Sequence, residues 1–253
     1  MSACITLAQF QKICLAVGTV VSAEINAKAK VPAYLISLDM GPKLLEEHEA
    51  LYKKRGYTSS AQLCANHTVE ELRGSSVLCV LNFPRKQIGP NMSDCLVTGV
   101  QMPGLDPDAK RGTTVYMRPT CDVPPGSRVG LFGKDEGLTT NPRDLTWDGF
   151  MLADLRIGTV TKCDRVVLDA AQSAMRLLLQ IDFGEKVLPS AALVKEGFPT
   201  EQLLGRQVLA LTNLCSEDLA ACFGSEVVAV VCSIAGKALL EPAKPVRNGF
   251  KLA

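Results

Sequence analysis

Phe10–Val20 reads FQKICLAVGTV, and Phe150–Val160 reads FMLADLRIGTV. Phe, Leu, Gly, Thr and Val coincide at an offset of 140 residues. Further on, YLISLDMG (Tyr34–Gly41) is matched by LLLQIDFG (Leu177–Gly184) at an offset of 143. Ser60–Ala61 is matched by Ser190–Ala191. Gly74, Val77, Leu78 and Asn82 return as Gly205, Val208, Leu209 and Asn213, all 131 residues on. Pro119, Val123 and Gly126 return as Pro242, Val246 and Gly249, 123 residues on. The matches keep their order and only insertions move the offset, which is the signature of one unit duplicated within the chain.

The chain of 253 residues accommodates two such units, here divided as 1–133 and 147–253 with a polar linker at 134–146 (KDEGLTTNPRDLT). Hydrophobic residues make up 47% and aromatics only 5%, so each core must be built from Val, Leu, Ile and Ala. Net charge is +1, which argues against a diffuse polycation and leaves room for a local basic patch. Residues 1–146 carry 16 Lys and Arg against 14 Asp and Glu, and residues 147–253 carry 11 against 12. The ten cysteines form no C-x-x-C pair and lie in apolar runs, as buried thiols of a reduced, cytoplasmic protein do. The two histidines, His48 and His67, have no ligand neighbours at metal spacing, so no metal and no cofactor is expected. The first residues lack a basic segment followed by an apolar run, and no stretch has the apolar length of a membrane span, so neither secretion nor a membrane partner is expected.

Each copy reads as strands. ICLAVGTVVSAEI and LRIGTVTKCDRV come first, and Gly18 and Gly158 within them are read as a bulge or a sharp bend. AYLISLDMG and MRLLLQIDFG follow, closed by Asp39 and Asp182 as turn residues. SSVLCVLNF and RQVLALTNL are third strands. After a helical turn come DCLVTGVQM and EVVAVVCSI, then the short strands TTVYMRP and KALLEP. Five strands per unit fit an all-β architecture of two tandem five-stranded Greek-key barrels, the OB-fold, although a sandwich fits the count as well. Residues 42–58 (PKLLEEHEALYKKRGYT) have helical spacing and are read as a helix inserted into the first unit.

No phosphate loop, nucleophile elbow or H-E-x-x-H is present, so the chain is not expected to be an enzyme. The segment Asn82–Gly99, NFPRKQIGPNMSDCLVTG, combines Arg85, Lys86 and Gln87 with a Gly-Pro turn. Cations and backbone amides arranged this way can hold phosphates, but the same residues also make an ordinary solvated connection. Lys28 and Lys30, with Lys53, Lys54 and Arg55, either extend such a patch or are simply solvated. Tyr34 and Phe83 either stack on a base or pack in the core.

The first copy resembles the CsaA family and the wider family of tRNA-binding OB domains, alone or appended to methionyl- and tyrosyl-tRNA synthetases. The resemblance is carried by AKAKVPAYLISLDMG (27–41), SSAQL (59–63), VEELRG (69–74) and above all VLNFPRKQIGPNMSDCLVTGV (80–100). The second copy resembles the same domain more weakly over Phe150–Phe250, and its ADLRIGTV matches the family's opening strand better than the first copy does. The resemblance implies OB barrels, structure-specific tRNA binding without catalysis, and contacts through Arg85, Lys86, Gln87 and Asn91, with Lys28, Lys30, Ser60 and Gln62 on the same face. CsaA has also been assigned a chaperone-like role. An apolar groove between the units holding unfolded polypeptide, or a docked aminoacyl-tRNA synthetase, is therefore the alternative. The family works as a homodimer, so a fused pair is expected to be a monomeric pseudo-dimer.

The copies have diverged. Without gaps at offset 131, Arg85 faces Ser216, Lys86 faces Glu217 and Gln87 faces Asp218, so the second copy has lost the charge a phosphate site needs. Arg156 stands where the first copy has Ala16, either as an RNA contact or paired with Asp154 or Asp148.

Overall fold

The first copy opens on a short helix because Thr6 caps it. In the computed structural model, which describes residues 3–102, 114–131, 143–169 and 174–253, α1 (Leu7–Gln11) is closed by a reciprocal Thr6–Gln9 capping box. The chain then runs through β1 (Leu15–Ile25), β2 (Tyr34–Asp39), α2 (Gly41–Tyr52), β3 (Tyr57–Ala61), α3 (Val69–Leu72) and β4 (Ser76–Val80). It continues as β5 (Lys86–Ile88), β6 (Asn91–Ser93), β7 (Leu96–Val97), β8 (Gly99–Gln101), β9 (Thr114–Pro119) and β10 (Val129–Gly130). The inserted helix is shorter than residues 42–58: Lys53 ends it in the left-handed conformation, and Tyr57 and Thr58 already belong to β3.

The second copy repeats the plan. Thr146 caps α4 (Trp147–Leu152), followed by β11 (Leu155–Asp169), β12 (Ala174–Asp182), β13 (Val187–Lys195), a 3-10 turn at Thr200–Gln202 and β14 (Gln207–Leu211). Then come α5 (Ser216–Cys222), β15 (Ala229–Val231), β16 (Ser233–Ile234) and β17 (Ala238–Pro242). Of the linker, residues 134–142 lie outside the described residues. Among the described residues no helix is long and apolar enough to cross a membrane.

Strand order is the same in both copies, β3-β2-β1-β4-β7 and β13-β12-β11-β14-β15. In the second, β13 pairs with β15 through Ser190–Ala229 and closes the barrel. In the first, the Ser59 hydroxyl bridges the gap, donating to Cys95 O at 3.0 Å and accepting from Val97 N at 3.4 Å. Register makes Ser59, opposite Ile36, the counterpart of Ser190, opposite Leu179, one residue from the Ser60–Ser190 match read in the sequence. Asp39 and Asp182 are the expected turn residues, accepting from Gly41 N and Gly184 N at 2.8 and 2.7 Å.

Gly18 and Gly158 are not bulges. Both pair regularly, with Val77 and Val208, and the register shifts come later, between Val20 and Ser22 and between Val160 and Lys162. Space favours glycine at both: a Cβ at Gly18 would lie 2.4 Å from Met40 Sδ, and one at Gly158 2.5 Å from Ile181 Cγ2 and 2.9 Å from the backbone Asp182 O.

Contacts between the units are reciprocal. Ile5 N donates to Asn213 O, and its counterpart Leu145 N donates to Asn82 O. Each of these asparagines also locks its own unit's entry: Asn82 Oδ1 accepts Cys14 N, and Asn213 Oδ1 accepts Asp154 N. At the other end, Val129–Gly130 pairs with Ile234–Ser233, while Leu252 bridges Val100 and Ala253 exchanges two hydrogen bonds with Gly99. In the middle, β9 pairs with β17: Met117 faces Pro242, Pro119 faces Leu240, and Arg118 faces Glu241. Because Pro242 repeats Pro119 and Leu240 repeats Met117, this register is self-complementary about the central pair, as across a two-fold axis.

One core spans the junction. Leu15, Val17, Leu78 and Val80 of the first unit join Leu155, Ile157, Leu209 and Leu211 of the second, all at most 1% exposed. Alternate residues of the same strands, Ala16, Val77 and Cys79 or Val208 and Ala210, face their own barrels. Among the described residues these side chains form a packed interior at the junction.

Candidate nucleic-acid interface

The segment 82–99 is a hairpin in place of the expected helical turn. β5 and β6 pair through Lys86–Ser93, Gln87–Met92 and Ile88–Asn91. Gly89 and Pro90 form the two-residue turn, with Gly89 at φ +62°, the first central position that II′ hairpins give to glycine. The second unit has helix α5 here. From Leu211 to its partner Val230 the chain is three residues longer than from Val80 to its partner Leu96, so the ungapped pairing of 83–94 with 214–225 does not match equivalent positions along its length.

The hairpin is fixed at its base by Asp94, whose side chain is fully buried. Asp94 Oδ1 accepts from Arg85 Nε at 2.7 Å and lies 3.4 Å from His48 Nε2; Oδ2 accepts from Lys54 Nζ at 2.8 Å and from Thr58 N and Oγ1, each at 2.9 Å. Burial alone would raise this carboxyl's pKa, but the hydrogen bonds from His48, Lys54 and Thr58 outweigh it and hold it far below the usual carboxylate range. The Arg85 guanidinium also lies 4.3 Å above the Tyr52 ring, and Arg143, from the segment leading into the second unit, lies 5.2 Å from the same ring and donates to Asp94 O.

Arg85 is thus an anchor, with its side chain only 23% exposed, and Lys54 is tied to the same carboxylate. Lys86 and Gln87 are exposed on β5, and Asn91 is half-buried on β6. Lys28 and Lys30 are exposed in the loop between β1 and β2, and that loop touches the hairpin tip: a Cβ on Gly89 would lie 3.3 Å from Lys28 O. Ser60 ties the loop to β3, its hydroxyl accepting from Asn26 Nδ2 at 3.2 Å, and its N–H donates to Ser93 Oγ at 3.4 Å. Gln62 is half-buried at the end of β3, where its carbonyl accepts from Thr114 N. The structure therefore brings Lys28, Ser60, Lys86, Gln87 and Asn91 around one hairpin. Lys53 and Arg55 are exposed beyond α2. Tyr34 is buried with its hydroxyl on His67 O, as a core residue.

Sequence reasoning missed Asp94, the hub that orders this region. The signal was there in a single acid closing a run with two cations, Arg85-Lys86…Asp94.

In the second unit Arg156 resolves as an internal pair, donating to Asp154 Oδ2 at 2.9 Å and to Gly249 O at 2.8 Å. It lines a polar cleft of about 820 Å³ with Lys186 and Arg247. In α5, Glu217 and Asp218 occupy the first turn, and Asp218 Oδ2 accepts from Leu7 N at 2.7 Å.

No family model matches the chain. The methionine–tRNA ligase of Methanococcoides burtonii is 35% identical over 107 residues, which are 42% of this chain and 15% of that enzyme. The chain thus spans a small part of that relative's length. The chaperone CsaA of Bacillus anthracis is 29% identical, with a TM-score of 0.40, over 50% of this chain and 98% of its own. The CsaA chaperone protein of Picrophilus torridus is 29% identical, with a TM-score of 0.38, over 49% of this chain and 97% of its own. Over part of its length the chain is thus similar to a methionine–tRNA ligase and to CsaA chaperones.

Proposed function

We propose that the chain is a non-catalytic tRNA-binding protein of the cytoplasm, working as a monomeric pseudo-dimer whose first unit carries the main RNA contacts. The observation that supports this best is the placing of Lys28 against the tip of a hairpin that exposes Lys86 and Gln87, while Arg85 is spent internally on Asp94. Lys86, Lys28 and Lys30 meet phosphates, and Gln87, Asn91 and Ser60 supply neutral hydrogen bonds to the backbone. The second unit keeps the fold and the pairing surface and places carboxylates where the first has its hairpin. The test is fluorescence anisotropy of labelled bulk tRNA, titrated at low and near-physiological salt with duplex DNA as competitor. Binding that weakens with salt and resists DNA is the expected result. Absence of binding at low salt overturns the reading and turns the search to protein partners such as a synthetase.

A further inference from the structure

Trp147, the chain's single tryptophan, packs one side of its ring near the buried Phe150, with centroids 5.8 Å apart, and leaves more surface open than that packing explains. It opens α4 of the second unit and is 50% exposed. Its indole stacks on Phe83 of the first unit, with ring centroids 6.2 Å apart and planes 25° from parallel. Phe83 immediately precedes Pro84, Arg85 and Lys86, so the aromatic pair stands at the root of the cationic hairpin.

The chain supplies its own control. The counterpart of Trp147 is Leu7 and the counterpart of Phe83 is Leu214. At that second junction the leucines pack against the shared core, Leu214 being 4% exposed. Two leucines therefore satisfy the packing need. The cations are missing there too, since α5 presents Glu217 and Asp218. Aromatic surface and positive charge occur together on one side of the pseudo-two-fold and are lost together on the other.

Resting on the tRNA-binding reading above, we infer that Trp147, backed by Phe83, is a stacking platform for an unpaired base of the RNA whose backbone follows the Lys86 hairpin. Stacking on an exposed indole takes any base, which suits recognition by shape. Asp144 and Asp148 are exposed beside Trp147. They keep phosphates off the platform and direct the backbone to the Lys86 side, so the tryptophan meets a base and not the sugar-phosphate chain. The RNA site is composite, with its platform on the second unit and its cations on the first.

A lone tryptophan makes this directly readable. The full chain is titrated with bulk tRNA while Trp147 emission and its acrylamide quenching are followed, and labelled-tRNA anisotropy is recorded in parallel. The expected result is emission that changes along the anisotropy isotherm, with Trp147 shielded from acrylamide in the complex. Trp147→Leu, which restores the residue of the sister site and is checked by thermal melting, weakens binding about tenfold, and Trp147→Phe retains most of the affinity. Normal anisotropy with unchanged emission and quenching, or wild-type affinity in Trp147→Leu, overturns the platform and leaves the tRNA-binding reading standing. Absence of any anisotropy change in the wild type overturns both.

Discussion

Arg118 and Glu241 face each other at the centre of the β9–β17 pairing, with Arg118 Nη2 3.1 Å from Glu241 Oε1. A residue on a two-fold axis meets its own copy, so in a homodimer this position would oppose like charges. Joined in one chain, the two copies have taken opposite charges, and Arg206 adds a second contact to Glu241 at 3.4 Å. Arg118→Glu and Glu241→Arg should each destabilise by roughly 1 kcal/mol, since Arg118 is about half exposed. For a chain of this length that lowers Tm by about 2–4 °C. The double exchange should recover most of the loss but not all, because Arg206 then faces a cation. Melting curves of the four proteins check it, and a double exchange no better than the singles would refute the pairing.

Asp94 should be the most sensitive polar residue of the first unit. Asp94→Asn leaves Arg85 and Lys54 facing a neutral amide, and a loss of roughly 3 kcal/mol is expected by denaturant titration. Since folding depresses this carboxyl's pKa, its stabilisation is complete above the unfolded value near 4 and is lost as pH falls below that value.

His67 gives a separate, higher window. It is 4% exposed against Tyr116, and burial, followed by the nearby Lys244, lowers its pKa from 6.5 to about 4, with Glu71 opposing. The fold favours the neutral ring. Stability is therefore full above pH 6.5 and declines as pH falls from 6.5 towards 4, by up to roughly 3 kcal/mol. His67→Gln should flatten that slope while leaving the steeper loss below pH 4.

Lys86→Glu and Lys28→Glu should weaken tRNA binding without changing Tm, each reducing the salt slope by about 1. Arg85→Ala should instead lower Tm, because it releases Asp94 and the Tyr52 ring. Unchanged affinity in the double lysine variant would remove the hairpin from the binding face.

Gly99→Ala tests the β8–β9 pairing of the first unit, on which the seam is built. A Cβ there would lie 2.3 Å from Val115 O, a backbone atom that cannot swing aside. A loss of about 2 kcal/mol or more is expected by denaturant titration.

Much of this was legible because duplication writes each constraint twice. Asn82 and Asn213 make the same pair of entry bonds, and Asp39 and Asp182 make the same turn. The runs VLCV and VLAL, apolar at every position, match strands covered on both faces, by the barrel and by the other unit. The hairpin at 86–93 was obscured by an alignment without gaps, which forced one structure on PRKQIGPN and on the helix-forming SEDLAAC. DCLVTGVQM reads as one strand, yet Leu96–Val97 serves its own barrel and Gly99–Gln101 serves the seam. An unpaired edge does not record in sequence whose strand will cover it. The Asp94 hub was hidden for a similar reason: His48 and Lys54 come to it from an insertion with no counterpart in the second copy.

The crossed ends of the two copies also bear on how the protein is made. β8 offers its edge to Leu252 and Ala253, which leave the ribosome long after it, and Asn82 waits for Leu145. The half synthesised first therefore emerges with bare edges and an uncovered apolar face, and stays so until its sister is finished. Nascent chains are most open to capture or mispairing in that interval, and translation speed across the second half sets how long it lasts.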